Sequence, residues 1–143
     1  MGIHMNNDDI YVYTDGASRG NPGDSASAYC IVRNDTILFE EASYIGVTTN
    51  NVAEYTAVIM GLEKAKDFTR GPIVVVSDSQ LAIYQLRGTW RVRTPHLQPL
   101  HEKVVSQTAH FSSVTFTHVR RTDPYIQHVD ALANKRLDDE AII

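Results

Sequence analysis

The chain has one cysteine in 143 residues, Cys30. A lone thiol excludes an intramolecular disulfide and a CxxC metal site. Flanked by Tyr29 and Ile31 in a β-rich run, it reads as buried and inert. Long apolar runs are also missing: none approaches the roughly 20 residues a membrane helix needs. No apolar stretch follows the initial MGIHM, so these residues are not a signal peptide. Residues 1–8 are expected to be a tail or an expression-tag remnant, with native sequence from near Met5 and one domain over 9–140. Linkers, repeats and low-complexity segments are absent. These gaps fit a cytoplasmic location. A composition of 43% hydrophobic and 21% charged residues belongs to an ordinary globular domain.

An excess of positive charge is lacking too. Thirteen Lys and Arg against seventeen Asp and Glu leave a net charge of −4. Phosphate contacts call for Lys and Arg, so the balance alone speaks against a nucleic-acid partner. Acids gathered around a metal, however, count as negative while being locally neutralised. The basic residues are also uneven: Arg87, Arg91 and Arg93 fall together, Lys103 follows, and Arg120 adjoins Arg121.

What is present is a clear alternation of patterns. Ile10 to Thr14 (IYVYT) is β-branched and aromatic and runs into Asp-Gly, a strand ending in a turn. SRGNPGD, 18–24, reads as a loop. Ala26 to Arg33 and Thr36 to Ile45 read as two further strands about an Asn-Asp turn, an antiparallel meander. Val52 to Phe68 changes period: Tyr55, Val58, Ile59, Leu62 and Ala65 recur at helical spacing. Asn50 or Asn51 can cap this helix. Ile73 to Val76 is all apolar, as in a central strand buried on both faces. Helices are predicted at Gln80 to Leu86 and at Leu97 to Ala109, the latter with Leu97, Leu100, Val104 and Val105 inward. A strand at Val114 to Val119 and a helix at Val129 to Leu137 complete the order βββαβααβα. Helical crossovers imply parallel strands. The expected fold is α/β: a mixed five-stranded sheet, three strands antiparallel and the rest parallel, flanked by helices.

Ligand sites in such sheets lie beyond the carboxyl ends of the strands. Asp15 and Asp78 follow strands one and four directly. Glu54 falls in the first turn of the long helix, in line with Val58, Gly61 and Ala65 on its packed face. Asp130 falls in the first turn of the last helix, in line with Ala133 and Leu137. Singly, each acid is explained as a turn former, a cap or a complement to the helix dipole. Jointly, they would repel one another and call for protons or a cation. Oxygen donors without His or Cys suit Mg²⁺ or Mn²⁺. Two such ions roughly 3.5–4 Å apart form a clamp for in-line displacement at phosphorus.

Four segments, TDGASRGNPG (14–23), TTNNVAEYTAVIMGLEKA (48–65), VSDSQ (76–80) and HVDALANKRL (128–137), together resemble the type 1 ribonucleases H, in order and over nearly the whole chain. The resemblance implies the ribonuclease H-like fold and an endoribonuclease that hydrolyses the RNA strand of RNA–DNA hybrids. Its products would carry 5′-phosphate and 3′-hydroxyl ends, and double-stranded RNA is a possible further substrate. It carries catalysis and metal binding onto Asp15, Glu54, Asp78 and Asp130, with two Mg²⁺ ions per substrate-bound site and Mn²⁺ as a substitute. It suggests substrate contacts from Ser18, Asn21, Thr49, Asn50, Asn51 and Gln80. The asparagines have a competing explanation as turn and cap formers. An amide beside a 2′-hydroxyl is one means of telling RNA from DNA.

The chain departs from the family in three places. QLRGTWRVRTPHLQPL (85–100) is too short for the basic protrusion of larger bacterial members, and no attached hybrid-binding domain is expected. Trp90, Arg91 and Arg93 offer a smaller DNA-strand contact, or Trp90 covers the core. The family's mobile histidine before the last acid has no direct counterpart. Arg121 is the favoured substitute, with Thr122 at the same place under a different gap and His128 the other candidate. Ile126 replaces the usual asparagine four residues before the last acid. A DNA-cutting relative is disfavoured by the Asn-rich TTNN, and a non-enzymatic module by all four acids being present. No obligate protein partner is expected, and a monomer is.

Overall fold

The computed structural model describes residues 9–141; the expected tail at 1–8 lies outside the described residues. Strands β1 (Ile10–Gly20), β2 (Gly23–Arg33) and β3 (Thr36–Thr48) lead into helix α1 (Asn50–Ala65). Strand β4 (Pro72–Ser77), helix α2 (Gln80–Leu86), a 3₁₀ turn (Pro95–Leu97) and helix α3 (Gln98–Thr108) follow, then β5 (Ser113–His118) and α4 (Pro124–Ala141). The sheet order is β3-β2-β1-β4-β5. The first three strands pair antiparallel, and β1–β4 and β4–β5 pair parallel. This is the expected mixed sheet.

Strand alternation feeds two cores. Ile10, Val12, Ile73 and Val75 pack with Tyr55, Val58 and Leu62 of α1 and Val104 of α3. Tyr11, Tyr13, Cys30 and Val76 pack with Ile126, Val129, Ala133 and Leu137 of α4. With helices on both faces, β4 has no solvent side, which accounts for its unbroken apolar run. Helix α1 lies very close to the sheet at Gly61, where a Cβ would come within 2.6 Å of Val12 Cγ1.

Several local expectations are corrected. SRGNPGD is mostly strand: β1 and β2 stay paired to Gly20 and Gly23, leaving a two-residue tip at Asn21-Pro22. Gly and Pro at a hairpin tip had suggested a longer loop. The cap of α1 is Thr49, whose side chain accepts from Val52 N–H at 3.3 Å, rather than Asn50 or Asn51. Helix α1 ends at Ala65, so Phe68 lies beyond it. Helix α4 begins at Pro124, because Asp123 Oδ1 accepts from the N–H groups of Tyr125 and Ile126. As a result Glu54 and Asp130 sit past the first turns of their helices, which hold no acid. On α3, Val105 is half exposed rather than inward. Trp90 is 41% exposed and meets Tyr84 edge-on at 4.8 Å between centroids. Among the described residues no helix is long and apolar enough to cross a membrane.

Candidate active site

The position of Asp15 follows from the sheet register. Its strand does not end there, as the sequence suggested, but runs five residues further against β2. The parallel pairing with β4 stops at Tyr13 and Val76, two residues earlier. Asp15 therefore stands just past the carboxyl edge of the parallel half of the sheet, level with Asp78, which follows β4. Glu54 reaches the same place from α1, whose N-terminal part lies directly on Gly16: a Cβ there would be 2.4 Å from Ala53 C. Ser27 Oγ donates to Ala53 C=O at 2.7 Å and fastens this part of the helix to β2.

Carboxylate oxygens of Asp15, Glu54 and Asp78 all lie within 4.8 Å of one another. Asp15 and Glu54 are each only 5% exposed. One backbone group serves both: Gly16 N–H donates to Asp15 Oδ1 at 3.0 Å and to Glu54 Oε1 at 2.9 Å. Ser77 Oγ adds a longer contact to Glu54 Oε2, 3.4 Å, and itself accepts from Ser79 N–H at 3.0 Å. Asp130 is exposed on α4 and outside the close trio, and it lines the same cleft.

The electrostatics follow from this crowding. Burial, then the charges of Glu54 and Asp78, push the Asp15 carboxyl far above the usual carboxylate range. Burial also raises Glu54, partly offset by its hydrogen bonds with Asp15, Gly16 and Ser77. Asp78 is raised chiefly by burial, with His118 and Arg121 pulling the other way. Such a group cannot be fully ionised without a compensating cation. Its donors are carboxylate oxygens, with no thiol or imidazole in the trio, which fits a hard divalent cation.

A cleft of about 620 Å³ opens over the acids, lined among others by Asn50, Arg121, Thr122 and Gln127. Of the three candidates to replace the mobile histidine, Arg121 and Thr122 line the cleft. His128 instead pairs with Glu40 of β3 at 2.7 Å, away from the acids. The remaining expected contacts, Ser18, Asn21, Thr49, Asn51 and Gln80, are not among the residues lining the cleft, and several are engaged in structure. Asn21 Oδ1 accepts from Asn50 N–H at 3.0 Å, binding the hairpin tip to the start of α1. Ser18 Oγ lies 2.6 Å from Ser25 Oγ, Thr49 caps α1, and Asn51 is half-buried. Gln80 is exposed at the first position of α2. Sequence reasoning missed Gly16 and Ser77 as parts of the site, although both adjoin an acid in the quoted motifs.

A family model described as "Reverse transcriptase-like" matches residues 13–136. Ribonuclease HI of Halobacterium salinarum is 41% identical over 131 residues, covering 91% of this chain and 65% of that protein. The chain spans only 36% of a second relative, the bifunctional protein Rv2228c of Mycobacterium tuberculosis, at 34% identity. Ribonuclease H of Treponema pallidum is 32% identical, with 87% and 88% of the two chains covered. The crystal structure of the Halobacterium RNase H1 superposes with a TM-score of 0.86, covering 91% of this chain and 98% of that one. LC11-RNase H1, crystallised with an RNA/DNA hybrid, gives 0.87 at 33% identity, covering 92% and 99%. Alike in sequence and in fold along most of its length, the chain belongs to the type 1 ribonuclease H family.

Proposed function

We propose that this chain is an endoribonuclease hydrolysing the RNA strand of RNA–DNA hybrids to 5′-phosphate and 3′-hydroxyl ends. The observation that carries this reading is the carboxylate trio at the floor of an open cleft, flanked by hydroxyl and amide side chains. The acids suit phosphodiester chemistry, and the amides suit a substrate bearing a 2′-hydroxyl. The hybrid bound to LC11-RNase H1 supports the same substrate class.

Asp15, Glu54, Asp78 and Asp130 would hold Mg²⁺, with Mn²⁺ as a substitute. A pair of such ions supplies an activated water and stabilises charge at the leaving oxygen. The chain's own groups do the rest. Gly16 N–H and Ser77 Oγ orient Glu54. Arg121, at the cleft wall, places a positive charge where a scissile phosphate would lie. Asn50 and its neighbours Asn21 and Asn51 face the shallow minor groove, while Ser18, Thr49 and Gln80 contact sugar and phosphate. The chain acts as a monomer on this reading.

Four matched duplexes test the proposal: hybrid, DNA–DNA, RNA–RNA, and DNA with one embedded ribonucleotide. Cleavage of the hybrid is expected, and RNA–RNA reads out the wider substrate range. Cleavage of DNA–DNA alone would sink the proposal.

A second prediction concerns stability. Because the Asp15 and Glu54 carboxyls are raised on folding, the metal-free fold retains protons that the unfolded chain has released. Their contribution is complete below the unfolded values, about 4. It is lost as pH climbs through the raised folded values. Mg²⁺ would replace those protons, adding on the order of 2–3 kcal/mol at a hundredfold excess over Kd. Melting curves should therefore show a Mg²⁺-induced rise in Tm that is larger at pH 9 than at pH 6. A Tm indifferent to millimolar Mg²⁺ at both values counts against the carboxylate cluster as a cation site.

A further inference from the structure

Asp130 differs from the other acids in how it is held. Asp15 and Glu54 are buried and share a backbone N–H, and Asp78 follows a central strand. Asp130 is exposed on the second turn of α4. A free carboxylate on a helix samples several rotamers, and each rotamer lost on binding a cation weakens that binding.

One side chain restricts it. Asn134 lies one helical turn further on, on the same face of α4. Its Nδ2 donates to Asp130 C=O at 3.0 Å and to Asp130 Oδ1 at 3.3 Å. Donation to Oδ1 fixes the direction of the carboxylate and leaves Oδ2 free. The turn carrying Asn134 is itself secured from across the molecule. Arg19, near the tip of the β1–β2 hairpin, donates to Asn134 C=O at 3.1 Å and pairs with Asp138. The hairpin that carries Asn21 and Ser18 is thus bound to the helix that carries Asp130.

We propose that Asn134 is a positioning residue for the cation site, setting the Asp130 carboxylate toward Asp15 and Asp78. The inference rests on Asp130 being a metal ligand, as the proposed function holds. Groups that orient metal ligands contribute about 10- to 100-fold in metal affinity or activity. Asn134 is a single, partly exposed donor, so the lower end applies.

The experiment compares Asn134→Ala, Asn134→Gln and Asp130→Asn with the parent, all as full chains. Mg²⁺ affinity is measured by calorimetry on the metal-free protein, and hybrid cleavage is followed across a Mg²⁺ titration. Asn134→Ala is expected to raise the Mg²⁺ dissociation constant and the Mg²⁺ requirement for cleavage about tenfold. KM for the hybrid at saturating Mg²⁺ should be unchanged. Asn134→Gln, which keeps an amide donor, should recover most of the loss.

If Asn134 is only a helix-surface residue, the outcome is different. Alanine is the better helix former, and the Arg19 contact is to a backbone carbonyl that survives the change. The metal-free protein would then melt at or above the parental temperature with unaltered Mg²⁺ affinity, and that result overturns the proposal. If Asp130→Asn weakens Mg²⁺ binding while Asn134→Ala does not, this inference fails alone and the site assignment stands. If Asp130→Asn also leaves Mg²⁺ binding and cleavage unchanged, Asp130 is not a ligand and both fail.

Discussion

Asp78→Asn is expected to reduce hybrid cleavage by about 10³-fold or more while leaving hybrid binding nearly intact. Asp78 is the acid of the trio least covered by protein, at the rim where β4 meets the cleft. Changing one carboxylate oxygen to an amide removes a charge and a hard donor but almost no volume. The metal's share of transition-state stabilisation is several kcal/mol, and each 1.36 kcal/mol is worth tenfold in rate. Binding should persist because Asn50 and Asn21, the proposed groove contacts, lie outside the trio. One fewer negative charge also lessens repulsion of the phosphates. Single-turnover cleavage with Mg²⁺ and a direct binding assay separate the two effects. Parental cleavage by the variant would show that the trio is not the catalytic centre.

Gly16→Ala is expected to damage stability and catalysis together. A Cβ at this position would stand 2.4 Å from Ala53 C, 2.5 Å from Glu54 N and 2.7 Å from Ala53 Cβ. The first two are backbone atoms, which cannot swing aside as a side chain tip can. Helix α1 would have to lift from β1 at the turn that carries Glu54, straining the shared Gly16 N–H and the Ser27 anchor. Overpacking of a tight core costs about 1–3 kcal/mol, occasionally more. Here the upper value applies, about 10 °C in Tm for a domain of this size. Cleavage should fall even well below that temperature, because Glu54 leaves its place. A variant that melts and cleaves like the parent would contradict the close seating of α1 on β1.

Much of this was legible in the chain because the signals are local. The apolar run of β4, the helical period of α1 and the turn residues between β2 and β3 each follow from neighbours within a few positions. The acids could be placed at strand ends and near helix starts for the same reason. Errors arose where a local signal had two outcomes. Gly20-Asn21-Pro22-Gly23 can open a loop or close a tight hairpin, and only pairing with β2 selects the second. Thr49, Asn50 and Asn51 are all good caps, so the position used depends on where α1 meets Gly16. The last helix was expected from Val129, whereas it starts at Pro124, a residue well suited to the first turn of a helix.

By itself, the sequence determined the order of elements, the mixed sheet and the family, and it singled out the acids of which Asp15, Glu54 and Asp78 come together. These rest on periodicity, residue type and motif order, which need no knowledge of distant contacts. Only the tertiary structure decided how the acids are held. It showed that one Gly16 N–H serves both Asp15 and Glu54, and that Arg121 faces the cleft. His128 turns away to Glu40, and Asp130 stands apart, hydrogen-bonded by Asn134, whose own carbonyl accepts from the distant Arg19. The reason is geometric. In a sheet, a shift of one residue in register sends every side chain to the opposite face. Which residues 30 or more positions apart can touch is therefore settled only when β1, β4, α1 and α4 have packed in their final register.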